Sequence, residues 1–292
     1  MKIVLYLFVA SIMTTGCGSS NKNTITKTSP DPTIYGNTIT SQDLKDMLFV
    51  YASDEFEGRE TGEPGQKKAV NYLKDQYVKM GIPSPLQGDD YFQEVPLEKQ
   101  KYPEASMFVN GKEMKGYEDF LILGSVDSQN LNIKEVIYAG YGIDTEKYSD
   151  YKDIDVKGKI VLIKAGEPKD SDGNYITSGT AKDTKWSAGR ASMSSKRDAA
   201  KQNGAKAIIF VDNKMMSQYG MYYQRLATAG AAARITLKSN EPSMIFIMAN
   251  EEMAKAIHPK ILDSEASKSL TTNISCTIKS QSEPVSSENV VA

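Results

Sequence analysis

Three observations predict an α/β fold of the mixed α+β kind. The run Lys159-Ile160-Val161-Leu162-Ile163, a helical stretch from about Ala191 to Gln202, and Ala207-Ile208-Ile209-Phe210-Val211 read as strand, helix and strand. That order is expected of a crossover into a partly parallel, buried sheet. Two amphipathic stretches with helical spacing precede it, and the period shortens to that of strands from about Tyr91. A chain of 292 residues, 40% hydrophobic and 25% charged, has ordinary globular proportions and suffices for one large or two modest domains.

The elements follow in order. Lys2 gives a short positive start, and Ile3 to Met13 is uncharged and apolar, the length of a signal-peptide core and too short to span a bilayer comfortably. It ends in Thr14-Thr15-Gly16-Cys17, similar to a bacterial lipobox, with Thr14 standing where that pattern usually has Leu. The resemblance implies cleavage before Cys17 and lipidation of its thiol. An ordinary signal peptide with an incidental cysteine is the alternative, and the polar stretch that follows favours the lipoprotein. Gly18 to about Thr38 has no helical or strand period and reads as a flexible tether.

Thr40-Ser41-Gln42-Asp43 has the form of a capping box, with Leu44, Met47, Leu48 and Tyr51 behind it at helical spacing. The second helix carries Ala69, Tyr72, Leu73, Tyr77 and Met80 on one stripe and is closed by Gly81 and Pro83. Both faces need a partner surface. Strands are expected at Val136–Ala139, Met244–Met248 and Leu270–Ile278, with a helix stopping before Pro259 and a polar connector leading to Asn289-Val290-Val291. Asp170–Arg190, which contains Trp186, and Met215–Arg225 do not read as regular elements and are expected as loops and short helices.

Several chemistries lack their residues. A net charge of −2 gives no electrostatic case for nucleic acid, and there is no P-loop, dinucleotide fingerprint or Gly-x-Ser-x-Gly. Asp170-Ser171-Asp172-Gly173-Asn174 is a poor calcium loop, because its glycine is early and Ala181 stands where the bidentate glutamate belongs. His258, the single histidine, sits at a helix end where an imidazole interacts favourably with the last carbonyls, a better reading than zinc ligation. Cys276 shares a strand face with Ile274 and Ile278 and reads as a buried structural thiol.

Four blocks carry a family resemblance: Ser53-Asp54-Glu55-Phe56-Glu57-Gly58-Arg59-Glu60-Thr61-Gly62 with the helix after it; Val136–Ile143 through Asp155–Val161; Lys201–Ile209; and Ser287–Ala292. Together, from about Thr40 onward and in the expected order, they resemble the N-terminal part of a co-catalytic zinc aminopeptidase. This is the superfamily of glutamate carboxypeptidase and the transferrin receptor, with an inserted protease-associated (PA) domain. The resemblance implies a PA-type β-sandwich or open barrel with flanking helices, plus an N-terminal helical segment of an incomplete α/β peptidase domain. The same domain from a subtilisin-like protease is a weaker match, because it lacks the helical opening from Ser53 to Met80.

The implied division is residues 1–16 signal peptide, 17–38 lipidated cysteine and tether, 39–95 helical segment, 96–283 PA region with its core at about 136–278, and 284–292 the resumed peptidase domain. In the family two zinc ions share a carboxylate, polarise the scissile carbonyl and lower the pKa of a bridging water, with a glutamate as general base. The resemblance places all those ligands after the Asn289-Val290-Val291 strand, so no catalytic or metal-ligating residue is assigned and no cofactor is expected in residues 1–292. Cys17, for lipid attachment, is the one assigned site residue.

The expected function is therefore the non-catalytic N-terminal fragment of an exported, membrane-anchored bacterial zinc metallopeptidase acting on peptide or protein substrate. The alternative is a cell-surface PA module that binds peptides or a protein partner, with Trp186 and Met215, Met216, Tyr219, Met221, Tyr222 and Tyr223 as an adaptable surface. Packing within the protein is the plainer reading of that cluster. Arg59 reads as an arginine bridging a turn to a neighbouring domain or, less simply, as a contact near a substrate cleft.

Overall fold

A computed structural model describes residues 31–229, 234–239, 243–263 and 266–292, the side chain of Arg234 excepted. Cys17, the leader and most of the tether lie outside the described residues. The chain divides into two compact units, residues 1–54 and 55–292. That division falls inside the 39–95 segment expected to be one piece.

The first unit holds α1 (Pro32–Gly36) and α2 (Ser41–Tyr51). The first helix interrupts the stretch expected to be an unstructured tether. Asp-Pro explains it: the Asp31 side chain accepts from Thr33 N, and Pro32 sits where a missing N–H costs nothing. The capping box of α2 forms as expected, with Asp43 N donating to Thr40 Oγ1 at 3.1 Å and Thr40 N to the Asp43 carboxylate at 2.9 Å. None of its residues is buried.

The second unit begins within the tight turn Asp54–Arg59, followed by α3 (Pro64–Lys79). Then come β1 (Phe92–Gln100), β2 (Glu104–Val109), β3 (Lys112–Met114), β4 (Phe120–Leu123), β5 (Gln129–Tyr138) and β6 (Ile160–Lys164). After these come α4 (Gly189–Gln202), β7 (Ala207–Val211), α5 (Asn213–Thr228), β8 (Arg234–Leu237), β9 (Ile245–Ala249), α6 (Glu251–Ile257), β10 (Lys268–Lys279) and β11 (Ser282–Val290).

The strands build two sheets, β11-β1-β8 and β3-β2-β10-β5-β6-β7-β9-β4. In the larger one β5, β6, β7 and β9 run parallel, while β10, β2, β3 and β4 join antiparallel. The predicted crossover is β6-α4-β7, and a second runs through α5 to β9. Alternate strand residues feed two cores. Ile160, Leu162, Ile209 and Ile247 face one with α6, while Val161, Ile163, Phe210 and Met248 face the other beneath α4 and α5. Burial on both faces is why these strands read as unbroken apolar runs.

Met215–Arg225, expected to be irregular, lies inside the single helix α5. Its N-cap Asp212 accepts from Met215 N at 2.9 Å. The polar connector after Ile278 is also regular: β11 pairs antiparallel with β1 from Phe92↔Val290 to Gln100↔Ser282. The two strands run across the boundaries expected at 95/96 and 283/284.

The partner surface that the stripe of α3 needs is found in part inside the chain. Ala69 and Val70 are buried, and Lys67 Nζ donates to Ser286 O at 3.0 Å and ion-pairs with Glu288 on β11. Met80, at the end of the stripe, stays exposed.

Candidate functional site

A groove of about 490 Å³ lies between α4 and α5, closed at one side by the end of β4 and the start of β9. Helix α4 contributes Arg190, Met193, Arg197 and Lys201. Their spacing of three, four and four puts them on one face. Helix α5 contributes Tyr219 and Tyr223, one turn apart, and Met244 and Phe246 form the apolar floor with Leu123.

The buried face of α4 is fixed by polar chemistry. Lys196, fully buried, reaches under the helix to donate to the carbonyls of Tyr141 (2.6 Å), Gly166 (2.6 Å) and Lys164 (3.2 Å). Burial pulls its ammonium down to about 7, against the opposing pull of Asp150 and Glu167. The three carbonyls match the three donors of the charged form, so the geometry favours that form.

Glu167, also buried, gathers the long excursion that follows β6. It accepts from Ser187 Oγ at 2.9 Å, from Thr184 Oγ1 at 2.5 Å and from the Thr177 hydroxyl. The apparently structureless Asp170–Arg190 stretch is thus wound around a buried carboxylate, with Trp186 packed into the core beneath α4. Asp150 is buried as well, accepting from Ile143 N at 3.0 Å and from the Tyr148 hydroxyl at 2.8 Å. Burial raises its pKa against those bonds.

Helix α5 is set by a close approach. A Cβ on Gly220 would stand 2.1 Å from the Tyr117 carbonyl oxygen, so only glycine lets the helix sit this near the β4 edge. The tyrosines one position to its left and three to its right in sequence are then held over the groove. Tyr219 and Tyr223 stack with centroids 6.0 Å apart, and Tyr102 meets Tyr223 edge-on at 4.7 Å. Arg190 Nε donates to the Tyr219 hydroxyl at 2.9 Å, which raises the pKa of an already permanent charge.

Arg197 pairs only locally, with Asp198 at 3.0 Å, and Lys201 has no carboxylate partner among the described residues. The groove therefore presents three cations against one carboxylate on a chain of net charge −2. Such a surface can hold a ligand that combines negative charge with apolar or aromatic bulk.

The residues singled out from sequence scatter. Cys17 lies outside the described residues. Met215 and Met216 belong to the core, while Met221 and Tyr222 are exposed, so the suspected cluster divides between packing and surface. Asp170 accepts from Asp172 N and Asn174 N, making an ordinary acidic turn. Cys276 is buried between Ile274 and Ile278 on β10, and burial pushes its thiol up to about 11. Arg59 is half-buried with φ of 61° in the tight turn before α3.

His258 stands at the helix end expected of it. It caps α6 but is buried edge-on to Tyr138 at 4.9 Å, with Nε2 unpartnered among the described atoms. Burial, helped by Lys268 and Lys164, lowers its pKa, so it is held neutral. Among the described residues no three His, Cys, Asp or Glu side chains are placed to hold a metal ion, so these residues do not fit a zinc pair. Nor is any helix among them long and apolar enough to cross a membrane.

The arginines and Lys201 of α4 were not singled out from sequence, although their spacing within a segment already read as helix marks one face.

A family model described as the PA domain matches residues 132–257, somewhat under half of the chain. No curated protein matches it. Among solved structures it is similar to an aminopeptidase from Aneurinibacillus sp. strain AM-1, with 17% identity and a TM-score of 0.36 over 84% of this chain and 45% of that one. It is also similar to BSAP, a zinc aminopeptidase from Bacillus subtilis, with 15% identity and a TM-score of 0.31 over 84% and 44%. A peptidase M28 precursor from Shewanella amazonensis SB2B gives 14% identity and a TM-score of 0.31 over 85% and 52%. The chain spans about half the length of these structures. The match over β5 to α6 and the crossovers there agree with the expectation from sequence: residues 132–257 of this chain are a PA domain.

Proposed function

We propose that this chain is the non-catalytic N-terminal portion of an exported zinc aminopeptidase, anchored to the membrane by lipid on Cys17. In this reading the PA domain is an insertion that binds peptide or a protein partner, and the two zinc ions are held by a peptidase part outside residues 1–292. The observation that supports it is the pairing of β1 with β11 over nine residues. The strand that leads into the PA region and the strand that leaves it pair as a stem within the three-stranded sheet β11-β1-β8, with α3 packed on its outer strand. An inserted domain needs adjacent entrance and exit, and a stem of this kind supplies them.

The test compares residues 18–292 with the product of the gene read beyond the codon for Ala292. Zinc content and hydrolysis of aminoacyl-nitroanilides are measured on both. Zinc and activity are expected in the longer product only. Stoichiometric zinc in residues 18–292 that is lost on His258→Ala would overturn the reading, as would a stop codon directly after Ala292.

A further inference from the structure

We propose that the groove between α4 and α5 binds an acidic peptide segment, with carboxylates on Arg197 and Lys201 and an apolar side chain between Met193 and the Tyr219–Tyr223 stack. The inference rests on the reading of residues 132–257 as a binding module and adds its ligand class. Charge complementarity carries it. Arg190, Arg197 and Lys201 gather on one helix face although the chain as a whole is acidic, with a pI of about 5.7. The exposed Arg197–Asp198 contact between neighbours in sequence is weak and is readily exchanged for a ligand carboxylate.

Arg190 is already aimed by the Tyr219 hydroxyl and lies with its guanidinium 6.0 Å from that ring, so little side-chain freedom remains to be lost on binding. Tyrosine, arginine and methionine are the side chains that dominate compact recognition surfaces. A small second hollow lined by Lys101 and Tyr102 adjoins the groove, sharing Gly124, Ser125 and Tyr223 with it. Stacked tyrosines beside arginines also suit single-stranded nucleic acid. A phosphate backbone, however, needs a basic track longer than one helix face.

The full chain is titrated by fluorescence anisotropy with a labelled octapeptide of alternating Glu and Leu. Comparison probes are the Lys and Leu counterpart, an oligothymidylate of the same length, and phosphatidylglycerol vesicles. The acidic peptide is expected to bind in preference to all three, more weakly as salt rises. Its affinity is expected to fall about tenfold or more in R197E/K201E. Both substituted side chains are exposed, so the unfolding midpoint should not move; Tyr223→Ser, checked the same way, tests the aromatic wall. Undiminished binding by R197E/K201E, equal binding of the basic peptide, or preference for the oligonucleotide or vesicles overturns the inference. Acidic-peptide binding alongside an inactive longer gene product leaves the groove assignment standing and removes only the zinc-peptidase reading. The opposite result removes the groove alone.

Discussion

Lys196 and His258 are two buried bases with opposite solutions to burial. The lysine brings three carbonyls to its ammonium, and its removal would take that donor from all three. Lys196→Met is expected to cost about 3 kcal/mol, read from chemical denaturation, with no loss of helix content short of unfolding. A cost below about 1 kcal/mol would mean that water or a neighbour replaces all three bonds. His258 instead stays neutral against Tyr138. Its folded pKa lies below the unfolded value of about 6.5, so below that pH the unfolded chain binds the extra proton and stability falls as the pH drops. The loss can reach about 1.4 kcal/mol per pH unit. His258→Phe keeps the edge-on ring packing and removes the titration. Melting temperatures of the two proteins should diverge from pH 6.5 down to 5, and parallel curves would count against this account.

At the scale of elements, α5 turns on one glycine. Gly220→Ala is expected to lose about 1–3 kcal/mol, because its Cβ meets the Tyr117 carbonyl and the helix must move off β4. An unchanged denaturation midpoint would show that the close approach is easily relieved. The same glycine explains why α5 was not legible in sequence. Between Tyr219 and Met221 it reads as a breaker, while its real cause is a carbonyl more than a hundred residues earlier. Strand β11 was hidden for a related reason: Ser282-Glu283-Pro284 has no strand pattern, and Pro284 is tolerated because β11 is an edge. What could be read was local, such as the Thr40–Asp43 capping box or the apolar runs of β6 and β7. The groove required two helices to meet, so half of it was invisible. Hydrogen exchange should follow this order, fast in α2, which has no buried residue, and slowest in Val161–Ile163 and Ile208–Phe210. Equal protection of α2 and these strands would contradict it.

For the whole molecule, the eight-stranded sheet lies within Glu104–Lys279, with both of its cores. A fragment of residues 101–281 should therefore unfold in one cooperative transition, followed by circular dichroism on heating. A gradual, non-cooperative melt would show that the sheet depends on β1 and β11.

The stem also has a direction. Phe92 pairs with Val290 at one end and Gln100 with Ser282 at the other, so both flanking segments emerge from the same end. Tension applied between those segments would not load all the rungs of the ladder together; it would open them one after another, Phe92 from Val290 first, as a zip is drawn. The stem would part at low force while the sheet beyond it felt none. A chain under such tension would then yield at this junction and re-form there, with the groove between α4 and α5 undisturbed.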